Sequence, residues 1–123
     1  MTQRHSLYSM ALVTAQDLAA RLARVQESVH ALLASSLPQP LGGWLVPRQL
    51  AQVYHMMPGL TELLAHVEGQ ELVQCVTLLL EHARGMVQDG AVLGAPSQEA
   101  LRHVAQQLEL AQAALQALLL LLQ

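Results

Sequence analysis

Histidines and carboxylates at helical spacing are the first candidates for chemistry in this 123-residue chain, which carries six histidines. Glu27 and His30 form a Glu-x-x-His pair, while Glu62/His66 and Glu99/His103 are i, i+4 pairs that share one face of a helix. A helical bundle that holds two metal ions takes two Glu-x-x-His pairs and two further carboxylates, all directed inward. Here there is one such pair, and with Val25 and Val29 on the apolar stripe both of its members fall on outward positions. His103 sits beside Val104 but off the stripe, and His82 flanks the stripe through Ala83. These residues read as solvated surface pairs. The competing function is a metal- or haem-binding bundle that draws histidines from several helices. No cofactor and no metal ligand is expected on the first reading.

Nucleophilic and phosphate chemistry have no support in the spacing. The chain has no glycine-rich phosphate loop, no His-Glu-x-x-His and no Gly-x-Ser-x-Gly. Its two aspartates, Asp17 and Asp89, look like helix-end residues. Cys75 is the only cysteine and cannot form an internal disulfide; between Val73 and Val76 it reads as a small buried hydrophobe. An enzyme is therefore not the expected reading, and no catalytic residue is assigned. Two apolar features are better candidates for binding. Tyr54, Met56 and Met57 group before Pro58, and methionine adapts to irregular surfaces, so this group lines either the core or a small-molecule pocket. Trp44, after two glycines, either anchors its own segment or is presented to a partner as an aromatic anchor.

These residues must be positioned by helices. Leu101, Val104, Leu108, Ala111, Leu115, Leu118 and Leu122 alternate spacings of three and four without a slip. A repeat of 3.5 residues on a helix of 3.6 residues per turn keeps one narrow stripe facing a partner helix. Ala11, Ala15, Leu18, Leu22, Val25, Val29 and Leu32 repeat the signature over a helix of about 7–35. Thr14 with Asp17 resembles a capping box and offers a later start, which would leave 1–13 as an arm. Residues 35–47, with three prolines and two glycines, read as an apolar loop packed on the bundle. A short helix over about 47–57 follows, with Pro47 at its first position and Pro58-Gly59 breaking it.

A third helix runs from about 60 to 88, with Leu60, Leu63, Leu64 and Val67 as a first apolar face and a heptad on Leu72, Val76, Leu79, Ala83 and Met86. That register puts Gly69 on the stripe, where the helix either breaks or lets a neighbour approach closely. Asp89-Gly90 and Gly94-Ala95-Pro96 end it. Ser97 is placed to cap the fourth helix, with Glu99 in its first turn. The expected fold is all-α: one domain over 1–123, an antiparallel up-down helical bundle with three long helices and one short one.

Composition narrows the partners. Hydrophobic residues are 53% and charged residues 12% of the chain, which excludes a disordered segment. There is no lysine, and the six arginines are scattered, so no basic stripe exists to neutralise phosphates and nucleic acid is not an expected partner. The formal charge is −3 with neutral histidines, and protonating all six would reverse its sign near the range where histidine titrates. No stretch approaches 18 uninterrupted apolar residues, so no membrane span is expected. The N-terminus lacks the long apolar core of a signal peptide, and the expected location is cytoplasmic.

The run Leu118-Leu119-Leu120-Leu121-Leu122 carries the functional reading. Successive residues turn by 100° around a helix, so five leucines cover nearly its whole circumference. The stripe needs only Leu118 and Leu122. Leu119, Leu120 and Leu121 then require a cover, from the Trp44 segment or from another molecule. The expected function is a non-enzymatic helical interaction module that oligomerises, preferably as a homodimer, or docks on another protein. Leu119, Leu120, Leu121 and Trp44 are its interface residues.

Overall fold

The structure is a computed structural model that describes the backbone of residues 2–34, 40–64, 69–92 and 98–123, and the side chains of 8–34, 45–64, 69–87 and 98–123. It is all-helical, with four α-helices and no strand among these residues: α1 (Thr2–Ala34), α2 (Pro40–Leu63), α3 (Gln70–Val92) and α4 (Gln98–Leu122). α1 packs on α2, α2 on α3, α3 on α4 and α4 back on α1, and the diagonal pairs do not meet among the described residues. The helices thus form a closed ring around one apolar cluster.

Each helix contributes one stripe to that cluster. On α4 all seven residues of the 3,4 repeat are buried. On α1, Ala11, Ala15, Leu18, Leu22, Val25 and Val29 are buried, Leu32 is half-buried, and Ala19 is buried beside them. Deep burial of this kind contributes roughly 1.5–3 kcal/mol per large aliphatic side chain. That energy, rather than intrinsic propensity, holds amphipathic helices of this length in water.

The chain differs from its sequence reading in the second quarter. α2 is a 24-residue helix that runs through both Pro47 and Pro58, so the expected loop over 35–47 is helical from Pro40 onward, and the expected short helix of 47–57 is a long one. The cause is a stripe that ignores the prolines. Val46, Leu50, Val53, Met57, Leu60 and Leu64 are buried at spacings of four and three. An interior proline costs about 3 kcal/mol, because it offers no N–H and crowds the carbonyl four residues back. Six buried stripe residues outweigh two such penalties.

The helix expected from about 60 to 88 is instead divided between α2, which ends at Leu63, and α3, which begins at Gln70. Gly69 has φ 109°, a conformation that favours glycine, and its carbonyl accepts the first bond of α3 from the Val73 amide at 3.1 Å. A Cβ at Gly69 would lie 2.7 Å from Leu118 Cδ1 and 3.8 Å from Leu121 Cδ2, so the start of α3 sits against the end of α4.

Four local expectations are also corrected. The buried stripe of α3 is Val73, Val76, Leu80, Ala83 and Val87, with Leu72, Leu79 and Met86 half-buried on its flank. Cys75 is consequently exposed rather than buried, because Val73 and Val76 turn inward and carry the residue between them outward. Thr14 and Asp17 lie within α1, which is helical from Thr2, and Asp17 pairs with Arg21 at 3.2 Å across one exposed turn instead of capping an end. At the other end of α3, the helix passes through Asp89-Gly90 to Val92. His66, Val67, Gly94-Ala95-Pro96 and Ser97 lie outside the described residues.

Candidate functional site

The leucine run at the end of α4 divides as helix geometry requires. Leu118 and Leu122 are buried, and Leu119 is half-buried against the core. Leu120 is 75% exposed and Leu121 46% exposed. The bundle therefore shelters Leu119 and part of Leu121, the latter against the start of α3 at Gly69. Leu120 has no cover among the described residues. The backbone of Trp44 belongs to α2, and its side chain lies outside the described residues.

The rest of α4 fixes how that surface is held. Gln112 donates from Nε2 to the Ala19 carbonyl of α1 at 3.1 Å and to Gln26 Oε1 at 3.4 Å. Its own Oε1 is buried without a partner. This contact marks the α1 flank of α4, and Leu121 beside Gly69 marks the α3 flank. Leu110, 57% exposed, and the exposed Ala113 and Ala117 lie on the outer surface between them, with Leu120. By length and mean hydropathy α4 could cross a membrane. In this structure its stripe is packed into the ring, and its middle carries Gln106, Gln107, Glu109, Gln112 and Gln116. Each of these polar side chains is costly in hydrocarbon without a partner.

The Tyr54 group sits at a second place. Tyr54 and Met57 line a surface cleft of about 390 Å³ between α2 and α3, with Pro58, Thr61, Glu62, Gln70 and Thr77. Met56 does not line it and is half-buried against the core. Thr61 and Thr77 donate their hydroxyls to the carbonyls of Met57 and Val73, each at 2.8 Å, so both hydroxyls are already engaged within their own helices. Arg84 places its guanidinium carbon 5.0 Å from the centroid of the Tyr54 ring, a cation–π contact, while its Nε is buried without a hydrogen-bond partner. The structure thus brings Tyr54 and Met57 together and leaves Met56 apart.

The histidines are dispersed. His30, His55, His82 and His103 are exposed on α1, α2, α3 and α4. Among the described residues no three His, Cys, Asp or Glu side chains approach closely enough to hold a metal ion. Sequence reasoning missed a different set: Leu78 on α3, 65% exposed, and Leu110 on α4, together with Met10 and Val13 on α1 and Leu45 on α2. Singly none of them stands out in the sequence, since scattered apolar residues are ordinary on any surface.

No protein-family model, no curated protein and no solved structure matches the chain.

Proposed function

We propose that this chain is a single antiparallel up-down helical domain that works as a non-enzymatic interaction module, docking a protein surface on the outer side of α4 at its C-terminal end. The observation that carries this reading is Leu120, left largely in water, beside Leu121, sheltered only in part, at the end of a helix whose other faces are packed. Covering such side chains contributes roughly 1.5–3 kcal/mol for each one fully buried, enough in combination to drive association. Antiparallel order is supported by the short connections. Five residues separate α1 from α2, and a chain extends by at most about 3.6 Å per residue, so they reach about 20 Å. A parallel neighbour would need a return along the whole helix, about 36 Å for 24 residues.

An exposed free thiol is most readily maintained in a reducing compartment, and a cytoplasmic location follows on that reading. The metal- or haem-binding alternative has weaker support, because the histidines with described side chains lie outward on four separate helices.

Size-exclusion chromatography with light scattering tests the proposal. Leu120→Gln with Leu121→Gln should abolish association while leaving helical content unchanged, since neither residue belongs to the buried stripe. A parent chain that is strictly monomeric at high micromolar concentration and binds no protein refutes it.

A second reading rests on the Tyr54 cleft. Its volume falls within the range of small-molecule sites, and its wall is apolar with one carboxylate, Glu62, at the edge. A thermal-shift screen of amphipathic amines tests it, and a flat response counts against it.

A further inference from the structure

A proline inside a helix leaves a carbonyl behind. Pro58 has no N–H, so the Tyr54 carbonyl one turn earlier lacks the amide that would close the helix there. Glu62 stands one turn further on. Tyr54, Pro58 and Glu62 are thus spaced i, i+4, i+8 on one face of α2, and all three line the cleft of about 390 Å³ between α2 and α3. Pro58 and Glu62 are exposed, so this side of the helix is open to a molecule in the cleft.

The remaining lining has the same hydrogen-bonding polarity. A threonine hydroxyl has one proton and two lone pairs. Thr61 gives its proton to the Met57 carbonyl and Thr77 gives its own to the Val73 carbonyl, each at 2.8 Å. Both oxygens can then only accept from a ligand. The Tyr54 hydroxyl and the Gln70 amide can present either a donor or an acceptor. Among the described residues no lysine, arginine or histidine lines the cleft. Arg84 lies beyond it, packed on the Tyr54 ring at 5.0 Å from the centroid. Glu62 is eight residues from Tyr54, roughly 12 Å along the helix, so the carboxylate stands at the end away from that guanidinium.

We infer that the cleft binds a small organic ammonium ion that carries at least one N–H, its nitrogen over Pro58 and its apolar body against Tyr54 and Met57. The inference rests on the second reading above, that the cleft takes a small molecule, and it specifies the charge and the donors of that molecule. The charge meets Glu62, and the N–H groups take the Tyr54 carbonyl and the Thr61 oxygen. An anion meets a carboxylate and no fixed donor, and is rejected. A quaternary ammonium keeps the charge but leaves the acceptors unmatched, so it binds more weakly.

Pro58 therefore acts on binding and on stability in opposite directions. Alanine at this position supplies an N–H that closes on the Tyr54 carbonyl. The helix gains a bond, and the ligand loses one. A proline that served only to shape α2 would not separate an N–H ligand from a quaternary one.

The test is isothermal titration calorimetry of the full chain at neutral pH with four probes that share one body: phenylbutylamine, phenylbutyltrimethylammonium, phenylbutanol and phenylbutyrate. Nitrogen–proton correlation spectra locate each probe through the amides of Met57, Thr61 and Gln70. The amine should move those amides and bind at least about fivefold more tightly than the trimethylammonium probe or the alcohol, and at least about tenfold more tightly than phenylbutyrate. Glu62→Gln should weaken both cations about threefold, the scale of an exposed ion pair. Pro58→Ala should weaken the amine at least about fivefold and change the trimethylammonium probe by less than about twofold, with helical content no lower than the parent's.

Phenylbutyrate, phenylbutanol or the trimethylammonium probe binding at the same amides as tightly as the amine overturns the inference and leaves the small-molecule cleft standing. So does a Pro58→Ala variant that binds the amine as the parent does, or that weakens both cations equally. If no probe moves the cleft amides at millimolar concentration, the inference and the cleft reading fall together.

Discussion

Gly69→Ala should destabilise the chain, while the same substitution at Gly59 and Gly85 should stabilise it. The three glycines occupy different environments. Gly69 has φ 109°, where an L side chain is strained, and its added Cβ would sit 2.7 Å from Leu118 Cδ1. Holding a non-glycine residue in such a conformation costs on the order of 1–3 kcal/mol. The contact is shorter than the 3.5–4.0 Å that two carbons prefer, and Leu118 is fully buried. Overpacking of a core side chain typically costs 1–3 kcal/mol, toward the lower end here because a terminal methyl can rotate. The reduced freedom of the unfolded chain returns about 0.4–1 kcal/mol. The net expectation is a loss of about 1–4 kcal/mol, a large share of the 5–15 kcal/mol typical of a domain.

Gly59 and Gly85 lie within helices, and nothing stands within 4 Å of a Cβ at either position. Alanine there should add about 0.5–1 kcal/mol each. Urea unfolding followed by circular dichroism, at one fixed protein concentration, reads all three. The strain and contact parts of the Gly69 effect separate in a Leu118→Ala background, where the offending methyl is gone. There Gly69→Ala should cost less than in the parent, by a coupling of about 1 kcal/mol. A Gly69→Ala variant as stable as the parent would refute the turn geometry, and with it the contact that aligns α3 with α4.

Further outcomes follow from the core and from α2. Leu115→Ala should cost about 2–5 kcal/mol in the same urea titration, since Leu115 is fully buried at the centre of the α4 stripe; a cost below 1 kcal/mol would mean that the stripe is not packed. Gln112→Met should be neutral or stabilising by up to about 1 kcal/mol, because it removes a buried Oε1 with no partner while giving up donor bonds of modest net value. A loss above 2 kcal/mol would show that the Gln112 bonds to α1 matter more than this accounting allows. Pro58→Ala should stabilise by about 1–3 kcal/mol if α2 is continuous, as it restores an N–H toward the Tyr54 carbonyl. A destabilised Pro58→Ala would return the helix break to the position that the sequence suggests.

Where the apolar repeat ran uninterrupted, helix and register were both legible. α4 is the clearest case: its seven stripe residues are read from spacing alone and all are buried. α2 shows why the remainder was not. Val46, Leu50, Val53, Met57, Leu60 and Leu64 carry the same signature, yet Pro47 and the Pro58-Gly59 pair outweighed it in the reading, because local rules rank proline as a helix breaker. In the folded chain the comparison is between a few kcal/mol of local penalty and the burial of a whole stripe against α1 and α3, and the stripe prevails.

α3 was misread for a subtler reason. Leu72, Val76, Leu79, Ala83 and Met86 and the buried set Val73, Val76, Leu80, Ala83 and Val87 both alternate spacings of four and three, so spacing alone did not choose between the stripe and its flank. Cys75 was read as buried from its apolar neighbours Val73 and Val76, but those two turn inward and leave it exposed. The exposed leucines lay beyond reach for the opposite reason. Leu78 and Leu110 attract no notice singly, since scattered apolar residues are ordinary on any surface. They become one feature only when Gly69, seated against Leu118 and Leu121, sets the height of α3 beside α4. A glycine with a left-handed backbone holds that alignment, so altering that turn should disturb the packing of α3 on α4 as well as overall stability.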